Sequence, residues 1–181
     1  MSHIVLIGPI GVGKSTVAPR VAELLGRQVV DLDELRGELY ATLDYDNAVA
    51  DAVYERDGVA GLLGYWKPFE LALVEHAVRL PDAVLDFGAG HSHFEDEGQF
   101  ARVAAALAPH HVVLLLPSDD IDRSERILAA RQPEEYRDVS AELNAMFLRS
   151  RSNAALADRV VITGERTPDE VAADVVRDLT P

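Results

Sequence analysis

Nine residues near the start of the chain, GPIGVGKST from Gly8 to Thr16, constrain its fold more than any other stretch. The apolar run HIVLIG (3–8) leads into them. A stripe of Val17, Val21, Leu24 and Leu25 at helical spacing leads out, stopped by Gly26. Gly8, Gly13, Lys14 and Ser15 satisfy G-x-x-x-x-G-K-[ST], a spacing that binds phosphate when a strand precedes it and a helix follows. Gly8, Gly11 and Gly13 let backbone N–H groups turn inward where a Cβ would crowd a ligand, and Val12 and Thr16 complete the nucleotide-binding stretch. The helix beginning near Lys14 adds the positive end of its dipole. Lys14 is then placed to reach β- and γ-phosphates, and the Ser15 hydroxyl to ligate Mg²⁺. A glycine-rich turn that only joins strand to helix is the competing explanation. It fits poorly with a chain that has two lysines, Lys14 and Lys67, and puts one of them here.

Four further apolar runs follow: QVVDLD (28–33), AVLDFG (83–88), HVVLLLP (111–117) and RVVITG (159–164). Each is nearly continuous rather than alternating, which predicts strands covered on both faces. Helical patterns lie between them. Phe100, Val103, Ala104 and Leu107 form a stripe ended by Pro109, and TPDEVAADVVRDL (167–179) opens with Thr167 as N-cap, Pro168 at the first helical position and Glu170 in reach of a capping box. The alternation predicts an α/β fold of three layers, a parallel sheet wrapped by helices on both faces. At 181 residues the chain fits one domain, 1–181. Two stretches break the rhythm. Residues 34–80 are too long for a simple crossover, and residues 131–150 are polar and contain Pro133. Long excursions from a compact sheet commonly grip substrates or act as lids.

The formal charge is −14, with 31 acids against 17 bases. Such a surface repels nucleic acid and anionic membrane, so neither is expected as a partner, and an anionic ligand must be held by locally concentrated positive groups. No apolar run approaches the roughly 20 residues of a membrane span. The N-terminal MSHIVLIGPIG lacks the basic region and long apolar core of a signal peptide, and a soluble, cytoplasmic protein is expected. The absence of cysteine excludes disulfides and thiolate chemistry. Nothing in the sequence indicates an oligomeric state.

A glycine loop, then Asp31 and Asp33 as D-x-D ending the second strand, then the glycine motif LDFGAG (Leu85–Gly90) after the third, resembles shikimate kinase. More broadly, the chain resembles the nucleoside-monophosphate-kinase-like small P-loop kinases, over nearly its whole length. The resemblance implies a P-loop NTPase fold with a five-stranded parallel sheet, a helical acceptor lobe at about 34–80 and a lid at about 131–150. It implies ATP as phosphoryl donor, Mg²⁺, and a small-molecule acceptor phosphorylated on a hydroxyl. Asp31 would hold the hydrated Mg²⁺, and Asp33 would bind the acceptor hydroxyl and take its proton. Asp86 would hold metal-bound water, and Gly88, Ala89 and Gly90 would approach the acceptor. Arg126 would lie over the adenine, with Arg166 in the loop TGERTP (163–168) beside it. Arg131 and Arg137 in the lid would close on the transferred phosphoryl group. Arg151, or as second choice Arg149, would bind the acceptor. The residues also allow plainer roles: Asp33 as helix N-cap, Asp86 as a buried structural carboxylate, and each lid arginine as a solvated helix charge.

Two departures from that family bear on the acceptor. Ala89 replaces a glycine, which narrows backbone approach. In RDGVAGLLGYWKPFE (56–70), Leu62 and Leu63 stand near where shikimate kinases carry a phenylalanine-arginine pair. The planar fork of arginine matches a carboxylate; Lys67 offers a charge without the fork, and Glu70 matches an acidic partner of the motif. Tyr65, Trp66 and Phe69 either pack the lobe or, with Trp66 foremost, line a pocket for a larger or less charged acceptor. A sugar alcohol, a nucleoside or a natural product would suit it better than shikimate. The alternatives are a nucleoside or nucleotide kinase and a non-catalytic nucleotide-binding regulator. In GHSHFEDE (90–97), His91 and His93 have chelating spacing beside Glu95 and Asp96 but lack a distant third ligand, so a loop histidine facing the acceptor is favoured. His3, His76, His110 and His111 carry no signal.

Overall fold

Each apolar run forms a strand: β1 (Ile4–Ile7), β2 (Gln28–Asp31), β3 (Ala83–Asp86), β4 (His111–Leu116) and β5 (Arg159–Ile162). The structure is a computed structural model that describes residues 2–177, so Asp178 and Leu179 of the last predicted helical segment lie outside the described residues. The strands make one parallel sheet in the order β2-β3-β1-β4-β5. Successive side chains on a strand point to opposite faces, which is why the inner runs β1, β3 and β4 are continuous in apolar residues. The strands β2 and β5 depart from the expected two-sided burial because they are the sheet edges, where Val29 and Val160 are exposed. Val5, Ile7, Leu85, Val112 and Leu114 face one core, and Ile4, Leu6, Val84, Val113, Leu115 and Val161 face the other.

The helices α1 (Lys14–Leu25), α5 (Ile121–Arg131) and α8 (Pro168–Val176) cover the second core through Val17, Val21, Leu128, Val171 and Val175. On the other face lie α2 (Leu32–Tyr40), α3 (Asn47–Ala77), α4 (Glu97–Leu107) and α7 (Arg151–Leu156), which contribute Leu32, Leu73, Val103 and Leu156. The remaining helix, α6 (Arg137–Leu148), runs beside α5. Local signals end these helices where the sequence predicts. Gly26 caps α1 in the left-handed conformation (φ 63°), and Thr167 and Glu170 form the reciprocal capping box of α8. No helix among the described residues is long and apolar enough to cross a membrane.

Two expectations are corrected here. Asp33 does not cap the helix that follows β2. The Asp31 side chain accepts from the backbone N–H groups of Asp33 (2.8 Å) and Glu34 (3.4 Å), so β2 ends at Asp31 and Asp33 lies inside the first turn of α2. Residues 34–80 hold most of α2 and then the 31-residue α3, kinked where Gly58 leaves helical angles (φ 66°, ψ −157°). Residues 131–150 start with the last residue of α5, pass through a 3-10 turn at Glu134–Tyr136 and become α6. Arg131 therefore belongs to a core-facing helix rather than to the excursion.

The sheet register positions the site. Asp31 of β2 pairs directly with Asp86 of β3, and Asp86 pairs with Leu6 of β1, one residue before that strand ends. Two carboxylates and the Gly8–Thr16 loop thus share the carboxyl edge of three neighbouring strands, the edge at which open α/β sheets bind ligands.

Candidate active site

The loop after β1 holds its shape through close packing. A Cβ at Gly8 (φ 145°) would lie 2.5 Å from the Leu115 carbonyl oxygen of β4, so only glycine brings the chain this near the next strand. Gly11 (φ 79°) and Gly13 (φ 107°) are also left-handed, and Gly13 is the N-cap of α1. Lys14 is buried, and its ammonium donates to the carbonyls of Gly8 (2.8 Å) and Pro9 (3.1 Å). Burial lowers its pKa from 10.5 to about 8, partly opposed by the carboxylates of Asp86, Asp33 and Asp31. Asp86 is pushed up in turn, chiefly by burial, against the pull of the Ser15 hydroxyl and Lys14; its Oδ1 is buried without a hydrogen-bond partner. Lys14, Ser15, Asp31, Asp33 and Asp86 are thus one electrostatic group.

Asp33 is half exposed, with Oδ1 3.8 Å from an Arg36 guanidinium nitrogen and 3.9 Å from His91 Nε2. His91 is buried, and its Nδ1 accepts the Gly88 backbone N–H (3.0 Å). That bond leaves the ring proton of the neutral imidazole on Nε2, facing Asp33. Burial lowers the His91 pKa to about 3, reinforced by Arg36, Lys67 and Lys14, so the ring stays neutral at ordinary pH. Gly88 is squeezed between them: a Cβ there would stand 2.8 Å from both Asp33 carboxylate oxygens and 2.9 Å from His91 Cε1. Gly88→Ala should therefore displace the carboxylate without unfolding the chain. We expect kcat to fall by roughly 10- to 100-fold in a coupled ADP-release assay with an unchanged circular dichroism spectrum.

Gly90 is constrained by Glu70, whose Oε1 would be 2.7 Å from an added Cβ. Glu70 and Lys67 form a buried ion pair (2.5 Å), and Lys67 also donates to the Gly90 carbonyl (2.9 Å) and lies over the Phe94 ring. Lys67 is consequently neutralised inside the protein and is not the free charge expected for an acceptor. Ala89, between the two crowded glycines, is buried. His93 is held by the Ser150 hydroxyl (2.9 Å), and the Ser152 hydroxyl binds the Ser92 carbonyl (2.8 Å) and the Phe94 N–H (3.0 Å). Neither histidine belongs to a group of three metal-ligating side chains, and none forms among the described residues.

The arginines are distributed differently from expectation. Arg126 is exposed and borders a cavity between α5 and α6, not the loop. Arg131, five residues on and so about 140° round the helix axis, donates to the carbonyls of Gly11 (3.3 Å), Val12 (3.5 Å) and Gly164 (2.9 Å). With Gly13, Thr16, Arg166 and Pro168 it borders a cleft of about 270 Å³ beside the loop. Arg131, not Arg126, borders this cleft beside the loop. Arg166 borders the same cleft, but its guanidinium is engaged by Asp174 and the Ile162 and Glu170 carbonyls. Arg137 is exposed at the start of α6. Arg149 is held by Glu125, whereas Arg151 borders a cavity of about 730 Å³ between α6, α7 and the loop at 93–95.

Trp66 and Arg151 border different cavities. Trp66 lines one of about 380 Å³ with Arg36, Tyr40 and Tyr45, and its indole N–H donates to the Tyr45 hydroxyl (3.1 Å). Tyr65 and Phe69 pack with Tyr40 and Tyr45 as the aromatic core of this lobe. Sequence reasoning missed Arg36, His91's contact with Asp33, Gln132 and Asn144. Only the helical spacing of Arg36 from Asp33 (i, i+3) offered a signal.

The family profile described as an AAA domain matches residues 4–153. A shikimate kinase from Streptomyces avermitilis is 31% identical over 187 residues, spanning 96% of this chain and 93% of that one. One from Chromohalobacter salexigens is 28% identical over 183 residues, spanning 96% and 89%. Among solved structures, a shikimate kinase from Acinetobacter baumannii in complex with shikimate superposes with a TM-score of 0.65 at 18% identity, covering 99% of this chain and 93% of that one. A gluconokinase from Sinorhizobium meliloti superposes at 0.60 and 17% identity, covering 97% and 90%. At such identities the two superpositions establish a common fold, while the sequence matches establish kinship. The chain belongs to the AAA-domain family of P-loop proteins and is a shikimate-kinase-like small-molecule kinase.

Proposed function

We propose that this kinase passes the γ-phosphoryl group of ATP to a hydroxyl of a small, carboxylate-free metabolite, with Mg²⁺ beside Ser15 and Asp86. The observation that carries the proposal is the convergence of Lys14 with Asp31, Asp33 and Asp86 at one sheet edge. The residues fit the metal. Mg²⁺ keeps several waters and takes one or two protein ligands beside substrate phosphates, so it needs no protein cage. The partnerless Asp86 oxygen and the Ser15 hydroxyl meet that demand. When bound, the ion would neutralise charge on the β- and γ-phosphates.

The chain's own residues do the rest. Backbone amides of the loop and the α1 N-terminus surround phosphate oxygens, and Lys14 exchanges the Gly8 and Pro9 carbonyls for the more strongly attracting phosphates. Asp33 accepts the acceptor hydroxyl and orients its oxygen toward the γ-phosphorus. As the new P–O bond forms, the bond to the β,γ-bridging oxygen breaks, ADP leaves with that electron pair, and the hydroxyl proton passes to the Asp33 carboxylate. His91 Nε2–H and Arg36 stand beside that carboxylate.

The acceptor's character follows from which cations are already engaged. Lys67 is paired with Glu70 and Arg149 with Glu125, leaving Arg151 at the cavity edge. Leucines stand near where the family carries its carboxylate-binding arginine. A panel of polyols, hexoses, glycosides, nucleosides and shikimate, read by ATP-dependent ADP release, tests this. A neutral polyhydroxyl compound should be turned over and shikimate should not. Turnover of shikimate at a comparable kcat/KM would overturn the acceptor class. A nucleoside kinase is less well supported, because Tyr65 and Phe69 are packed against other rings and leave Trp66 alone to stack a base.

A further inference from the structure

The phosphate loop does not stand on its own. Its apex, residues 10–12, is gripped from α5, α6 and the chain between them. Asn144 of α6 is buried and pairs with a single peptide residue of the loop in both directions. Its Oδ1 accepts the Ile10 N–H (2.7 Å), and its Nδ2 donates to the Ile10 carbonyl (3.1 Å). Only a primary amide side chain offers a donor and an acceptor on one planar group for this purpose. Beside it, the Gln132 amide occupies the space that a Cβ on Gly11 would need, and Arg131 reaches the Gly11 and Val12 carbonyls.

We infer that Asn144 is a positioning residue for nucleotide: it sets the peptide planes on either side of Ile10 and thereby the direction in which the amides from Gly11 onward face. The inference rests on the kinase reading above. Pro9 has no N–H, so the Ile10 N–H is the first donor after Gly8, and the clasp turns it to Asn144. Without the clasp, the left-handed residues Gly11 and Gly13 are free to exchange between conformations, because glycine populates many. The amide nest would then have to be ordered at the expense of nucleotide binding. The same helix borders the 730 Å³ cavity through Ala145, Met146 and Arg149. It therefore spans from that cavity to the loop apex.

The test is calorimetric titration of the folded proteins with MgADP, comparing wild type with Asn144→Ala and with Asn144→Leu, which keeps volume while removing both bonds. Loss of two hydrogen bonds of ordinary net strength should weaken MgADP by roughly 10- to 30-fold. In the ATP-consumption assay KM for ATP should rise more than kcat falls. A merely structural role would lower the melting temperature and leave the dissociation constant of the folded protein unchanged, and that result would overturn the inference. Should neither variant fold, amide hydrogen exchange in the wild-type protein decides. The Ile10 N–H should be protected without ligand, and exchange at the rate of an open loop contradicts the clasp. Failure of the wild-type protein to bind MgADP would instead sink the kinase reading and the inference together.

Discussion

Replacing Lys14 by methionine is expected to abolish phosphoryl transfer while leaving a protein no less stable than the parent. The ammonium group is the loop's only side-chain cation and the group closest to where charge develops on the transferred phosphoryl. Removing one such preorganised group should reduce kcat by about 10³-fold or more. Stability moves the other way. Burial lowers the pKa of Lys14 from 10.5 to about 8, so between those values the unfolded chain binds the proton and the folded chain does not. Stability therefore rises with pH across that window, and below about pH 8 the folded state carries the whole penalty. At roughly 1.4 kcal/mol per pKa unit the penalty is on the order of 3 kcal/mol. The bonds to the Gly8 and Pro9 carbonyls return part of it. Lys14→Met should thus melt at or a few degrees above the wild type at pH 7, a shift of about 2–4 °C per kcal/mol for a chain of this length. A variant that melts well below wild type would show that Lys14 is a structural group. One that keeps full activity would show that it is not a catalytic one.

Asp33→Asn should reduce kcat by roughly 10²- to 10⁴-fold, the usual contribution of a positioned general base. Affinity for MgADP should change by no more than about twofold if, as proposed, the altered atom serves the acceptor rather than the nucleotide. The division of labour between the two acids makes this a clean experiment. Asp31 holds the start of α2 by capping it, so truncating it to alanine would loosen the helix by about 1 kcal/mol. Asp33 caps nothing. Its carboxylate fills the space that a Cβ on Gly88 would need and has His91 and Arg36 within 4 Å. If kcat persists in Asp33→Asn, the proton leaves by another route.

Much of this arrangement is legible in the order of the residues. Strand positions follow from continuous β-branched runs, and helix ends follow from Gly26 and the Thr167–Glu170 box, because both kinds of signal act within a turn or two of chain. The same holds for Gly8 to Ser15, where a phosphate nest is encoded in consecutive residues. Asp31 and Asp86 could be named as strand-end acids, since parallel register brings such positions together. The roles of Asp31 and Asp33 in capping could not be sorted, because both lie within reach of the same first turn. That Arg131 rather than Arg126 borders the cleft beside the loop was beyond the sequence: it depends on how α5 is rotated as it docks on the loop, 119 residues away for the Arg131–Val12 contact. Asn144 was invisible for the same reason, its partner lying 134 residues earlier in the chain. The Lys67–Glu70 pair had the i, i+3 spacing of a helical ion pair. Its burial and its bond to Gly90 arise only when α3 packs beneath the third glycine loop.

Calorimetric titration of the wild-type protein with MgATP at pH 7 and at pH 9, in buffers of different ionisation enthalpy, tests the central claim most directly. Lys14 is protonated at the lower pH and mostly neutral at the higher one when the loop is free, and phosphate oxygens draw the proton back. Saturable binding is predicted at both, weaker at pH 9 and accompanied there by uptake of up to one proton per ATP. Absence of binding at pH 7 would contradict a triphosphate held by this loop, and binding with no proton taken up at pH 9 would contradict the lowered pKa of Lys14.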